Sequence, residues 1–70
     1  MNEDQIGIWA GTIWQALNER GMLSIQELSD TTGLDLKAIY SALGWLARES
    51  KVNFDDNDEV SLRFFKEQYY

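Results

Sequence analysis

What this chain lacks narrows its function first. It has no cysteine, which removes any disulfide framework and any pointer to an oxidising compartment. It has no histidine, and so loses both the commonest general base and the commonest metal ligand. Cations are scarce: six Lys and Arg face twelve Asp and Glu, a formal net charge of −6. Domains that bind nucleic acid draw much of their affinity from basic side chains on phosphates, so this balance disfavours such a partner while leaving room for a local basic patch. No apolar run approaches the ~18 residues of a membrane span. The opening segment MNEDQ is acidic where a signal peptide is basic. These features predict a soluble cytoplasmic protein with no membrane partner.

The 70 residues make one small domain. A core of that size rarely supplies more than about 3–5 kcal/mol, and small domains often lean on metals, disulfides or oligomerisation. They also leave little room for a pocket once the core is filled. With no Cys or His, no phosphate-cradling loop and no carboxylate pair beside a cleft, the residues predict no enzyme and no cofactor.

What is present is a clear order of elements. Asn2 to Asp4 can cap a first helix over about 4–20, with Ile6, Ala10, Ile13, Trp14 and Leu17 at helical spacing on one face. Gly21 ends it, and Met22-Leu23 is short enough to form at most a brief strand. Ser24-Ile25-Gln26-Glu27 is a capping box that opens a second helix over about 25–32, with Ile25 and Leu28 inward. Gly33 and Leu34 form a turn, and Asp35 caps a third helix over about 36–49. Leu36, Ile39, Leu43, Leu46 and Ala47 share one arc of that helix, while Lys37, Ser41, Gly44, Trp45 and Arg48 share the other. A hairpin over about 51–64 follows, with Val52, Phe54, Val60, Leu62 and Phe64 on one face. The tail Phe65–Tyr70 either extends the second strand or folds back over the core.

Two helices joined by a short glycine-containing turn form a helix-turn-helix. With the short strand before them and the hairpin after them, the order is that of a winged helix-turn-helix, an α+β and mainly α fold. The capping box Ser24–Glu27, the turn Gly33-Leu34-Asp35, and Ala42-Leu43 with Leu46 leading into Lys51-Val52 carry this reading over about residues 4–64. More closely, Ile6-Gly7, Ala10-Gly11 with Trp14, and Ala42-Leu43-Gly44-Trp45-Leu46-Ala47-Arg48-Glu49 resemble a family of short, stand-alone bacterial winged-helix proteins of unknown function. That family often has glycine between the third-helix Glu and the strand; Ser50 stands there in this chain. The resemblance implies the fold. It leaves function open, because winged helices serve both as DNA readers and as protein-interaction modules.

In a DNA-reading winged helix the third helix enters the major groove. Here Lys37, Ser41 and Arg48, with Tyr40 at the edge of the arc, are the candidate nucleic-acid contacts. A solvated helix face is the plainer explanation, since two cations neutralise only about two phosphates. The hairpin tip weighs further against DNA. It carries Asp55, Asp56, Asp58 and Glu59, and like charges about 4 Å apart repel by roughly 1 kcal/mol in water and about 4 at a protein surface. As a calcium loop the tip also fails: counted from Asp56, the third position is Asp58, but the fifth is Val60 and the sixth is Ser61 instead of glycine.

The first helix carries the least ordinary pattern. Gly7 and Gly11 lie one turn apart on the side of Trp14, and each glycine inside a helix costs about 1 kcal/mol relative to alanine. Either a neighbouring element of the same chain, such as the Trp45 ring, fills that stripe, or a second subunit packs there. Gly7, Ile8, Gly11, Trp14 and Trp45 are therefore the candidate protein interface. The leading expectation is a binding module that self-associates or contacts another protein. A DNA-binding transcriptional regulator is the alternative.

Overall fold

Each helix of the computed structural model, which describes residues 2–63, begins on a short polar side chain that caps it. Helix α1 (Glu3–Arg20) starts at Asn2, whose Oδ1 accepts a hydrogen bond from the Gln5 amide at 2.8 Å. Helix α2 (Ile25–Thr32) starts at a complete capping box: the Glu27 amide donates to Ser24 Oγ at 3.0 Å, and the Ser24 amide donates to Glu27 Oε1 at 2.8 Å. Helix α3 (Leu36–Arg48) starts at Asp35, whose Oδ1 accepts from the Ala38 amide at 2.9 Å. Each cap satisfies an amide that the helix itself leaves without a partner. Ser24→Ala is expected to lower stability by about 1 kcal/mol, and Glu27→Ala by less, because water replaces its reach-back bond. Denaturant melts measure both; an unchanged midpoint for Ser24→Ala would show that the box contributes nothing.

The turn between α2 and α3 is closed by local hydrogen bonds. Gly33 takes the left-handed conformation (φ 76°) and donates to the Ser29 carbonyl at 2.9 Å. The Ser29 hydroxyl donates to the Leu34 carbonyl at 2.8 Å, and Thr32 Oγ1 accepts from the Leu34 amide at 3.2 Å. Leu34 meanwhile packs against the core. The angle between the two helices is thus set by a turn that leaves few of its polar groups idle.

Helix α3 ends at Arg48, with Glu49 as its C-cap, one residue short of the helical span that the spacing suggests. The cause lies at Ser50, which adopts φ 59°. Its amide bonds to the Ala47 carbonyl at 3.0 Å, and the Lys51 amide bonds to the Leu46 carbonyl at 2.9 Å. This pair of bonds is a Schellman motif, whose pivot favours glycine because the left-handed region is strained for other residues. Serine occupies the pivot here and carries that strain.

Strands β1 (Val52–Phe54) and β2 (Val60–Leu62) pair antiparallel, Val52 opposite Leu62 and Phe54 opposite Val60. The segment between α1 and α2 joins them: Leu23 and Val60 exchange both backbone hydrogen bonds, at 3.0 and 2.8 Å. The brief strand expected at Met22-Leu23 is therefore a single bridge. Behind it, Ile13 and Leu17 of α1, Leu28 of α2, Ile39 of α3 and Val60 of β2 are all but inaccessible and form the centre of the core.

Three residues expected on the buried faces lie elsewhere. Leu36 is 49% exposed, because it opens α3 at the edge of the apolar arc. Ala47 is exposed at the other edge of that arc. Phe54 is 50% exposed although Val60 opposite it is buried. Phe54 lines a groove with Ile25, Tyr40, Leu43, Gly44 and Asp58 and stays open to solvent there, while its partner Val60 fills the core. The expectations for Phe64 and for the tail Phe65–Tyr70 lie outside the described residues. No helix among the described residues is long and apolar enough to cross a membrane.

Candidate functional site

The expected contacts divide between two sides of α3. Lys37 and Arg48 are exposed, Ser41 is half-buried and Tyr40 is 59% exposed. Lys37 and Ser41 stand one turn apart on the solvent side, with Arg48 further along the same arc. Trp45 lies round the helix toward α1 and is 37% exposed. Buried Ile39, Leu43 and Leu46 hold α3 against the core and leave its other arc toward solvent.

Toward α1, Trp45 meets the glycine stripe. Gly11 and Trp14 from α1, Trp45 and Leu46 from α3, and Glu49 and Lys51 from the segment after it line a shallow groove of about 380 Å³. Trp14 is half-buried and packs against the core. The groove brings together three of the five residues expected at a protein interface. Gly7 is exposed one turn before Gly11 but does not line the groove, and Ile8 stands further round α1, 68% exposed.

The glycines are not demanded by packing within the chain. A Cβ built at Gly7 or Gly11 meets nothing within 4 Å, so the Trp45 ring does not fill the stripe. Two glycines in the middle of a helix cost about 1 kcal/mol each, and the described residues supply no internal contact that offsets this.

The hairpin tip, expected to be a solvated charged turn, is more specific than that. Asp55 Oδ1 accepts from the amides of Asn57 (2.8 Å) and Glu59 (2.9 Å). Its backbone carbonyl accepts from the Asp58 amide at 3.0 Å, and its amide donates to the Glu59 carbonyl at 3.0 Å. Asp58 sits at φ 61°, a conformation that Asp and Asn tolerate better than most residues. Of the four carboxylates of the tip only that of Asp55 builds the turn, while Asp58 and Glu59 take part through their backbone and leave their charges, with that of Asp56, outside its hydrogen bonding. The signal was present in the Asp-x-Asn spacing of an Asx-turn; reading the segment as a run of charge obscured it. Among the described residues, no group of three or more Asp or Glu side chains is placed to hold a metal ion.

A second groove, not foreseen from the sequence, lies on the opposite side of α3. Ile25, Tyr40, Leu43, Gly44, Phe54 and Asp58 border a space of about 370 Å³ between the helices and the hairpin. Its residues come from three separate elements. Only the exposed position of Phe54 could have betrayed it, and strict alternation predicted the reverse.

Known proteins bear on this arrangement in two ways. The solution NMR structure of protein BT2368 from Bacteroides thetaiotaomicron is similar to this chain, with 34% sequence identity and a TM-score of 0.85 over 100% of this chain and 89% of that one. No curated protein matches. Residues 1–64 match the family model described as Winged helix-turn-helix domain (DUF2582). The architecture of three helices and a two-stranded wing, the matched span and the structural likeness agree, and the chain belongs to the winged helix-turn-helix family DUF2582.

Proposed function

We propose that this winged helix is a non-enzymatic binding module that acts through protein–protein contact, including self-association, on the groove between α1 and α3. The observation that carries this reading is the open backbone at Gly11, flanked by Trp14 and Trp45, where a Cβ would meet nothing of its own chain. A glycine stripe lets a second backbone approach closely, and a partly exposed tryptophan beside it supplies a large apolar anchor. The absence of Cys and His supports a role without catalysis. The fold also supplies the frame for the alternative, a DNA-binding regulator with α3 in the major groove and Lys37, Tyr40, Ser41 and Arg48 as contacts. Against it stand the two cations on that face, the acidic wing and the net charge of −6.

Light scattering on the order of tens of micromolar tests the proposal. The wild type is expected to dimerise, and Gly11→Leu to shift the equilibrium several-fold toward monomer. The same substitution should leave the monomer fold as stable or more so, because leucine is the better helix former and the space is open. A wild type that is monomeric throughout would sink self-association. A dimer indifferent to Gly11→Leu would place the interface elsewhere.

A further inference from the structure

We infer that the groove between α3 and the wing is a docking site for a cationic amphipathic segment of another protein. It lies across α3 from the groove proposed above, and it stands or falls independently of that reading. Its walls are apolar where a DNA-reading face would be polar. Tyr40 and Phe54, both more than half open or close to it, flank Gly44, where a Cβ would meet nothing within 4 Å. Ile25 and Leu43 close the floor. Such a cleft takes an aliphatic or aromatic side chain, since covering two exposed rings removes a large apolar area from water.

The charge of the occupant follows from the rim. Asp58 is the charged residue that lines the groove, whereas Lys37 and Arg48, though on the same helix, do not. Asp55, Asp56 and Glu59 do not line the groove but share the wing turn with Asp58 and add to its negative field. An acidic segment or a nucleic-acid phosphate would meet that field unfavourably. A second copy of this chain, with its own charge of −6, would bring wing against wing. A segment with apolar anchors and lysines or arginines beside them places its cations against the carboxylates of the wing, where complementary potentials speed encounter and fix register. Helix-in-groove recognition of this sort reads anchors one helical turn apart.

The probe is a synthetic amphipathic helical peptide of leucine and lysine, paired with the same peptide carrying glutamate for every lysine. Both are titrated into isotope-labelled protein and followed by amide and side-chain chemical shifts. The lysine peptide should bind and shift Ile25, Tyr40, Gly44 and Phe54, with affinity falling as salt rises; the glutamate peptide should not bind. Tyr40→Ser and the groove-filling Gly44→Leu should each weaken the lysine peptide by about tenfold or more, while Gly11→Leu leaves it unchanged. Gly44→Leu improves helix propensity and has open space, so it reports on the groove and not on folding. Equal binding of both peptides, indifference to Gly44→Leu, or no binding at all would overturn the inference. So would lysine-peptide shifts centred on Gly11 and Trp45, or shifts at Tyr40 and Phe54 that follow protein concentration alone, which would mark a second copy as the occupant.

Discussion

Ile39→Ala should remove most of the stability this small domain has and lower its melting temperature steeply. Ile39 has no accessible surface, and it faces the seam where α3 packs against the other helices. Truncating a buried isoleucine costs about 2–5 kcal/mol, part from lost transfer energy and part from the cavity left behind. A domain of this size has only about 3–5 kcal/mol in hand from its core. No disulfide is present to hold the chain together meanwhile. The matched control is Leu36→Ala, three residues earlier on the same helix but half exposed, which should change stability by less than about 1 kcal/mol. Circular dichroism melts compare the two. If Ile39→Ala melts like the wild type, α3 is not anchored as described, and neither groove beside it is positioned by the core.

The wing should govern whether the protein binds DNA. The variant Asp55→Asn/Asp56→Lys/Asp58→Asn/Glu59→Lys neutralises two charges and reverses two, which moves the formal net charge from −6 to zero. Asparagine at 55 keeps a side-chain oxygen for the amides of Asn57 and Glu59, and asparagine at 58 tolerates the positive φ there. The turn is therefore preserved while its field is removed. Near physiological salt the wild type is expected to show only weak, nonspecific affinity for duplex DNA. The variant should gain at least about tenfold, with binding that falls steeply as salt rises, because each phosphate neutralised releases counterions. Anisotropy titrations across a salt series measure both proteins. Asp55→Lys would be the wrong probe, since it removes the acceptor that closes the turn. Tight, sequence-selective binding by the wild type would instead promote Lys37, Ser41 and Arg48 to base and phosphate contacts.

How much of this was legible in the sequence depends on how local each cause is. The caps at Asn2, Ser24 and Asp35 involve residues three apart in the chain, so sequence spacing was enough to find them. The buried arc of α3 was legible in its centre, at Ile39, Leu43 and Leu46, and wrong at both edges, at Leu36 and Ala47. Periodicity tells which residues share a face; it does not tell how wide the covering elements are. Phe54 failed for the same reason, since strand alternation chose its side but not whether anything lay behind it. Glycine at 7 and 11 was legible as a stripe, and Trp45 as a surplus aromatic. The meeting of Gly11, Trp14 and Trp45 in one groove, without Gly7, required the crossing of α1 and α3, which no local pattern encodes. At Ser50 the opposite holds: the departure from glycine was visible in the chain, and the positive φ supplies its physical meaning.

The most direct measurement of the proposed role uses the three tryptophans as reporters. Their indole N–H resonances are followed in isotope-labelled protein as it is diluted from high to low concentration. Trp14 and Trp45 line the groove between α1 and α3, whereas Trp9, which packs on the core, does not line it. If the groove is where copies meet, the Trp14 and Trp45 indoles should shift with concentration, Trp9 should hold still, and Gly11→Leu should abolish the dependence. Indoles that stay fixed at every concentration, together with shifts at Lys37, Ser41 and Arg48 on adding duplex DNA, would contradict a protein-binding role and place the function on the recognition helix.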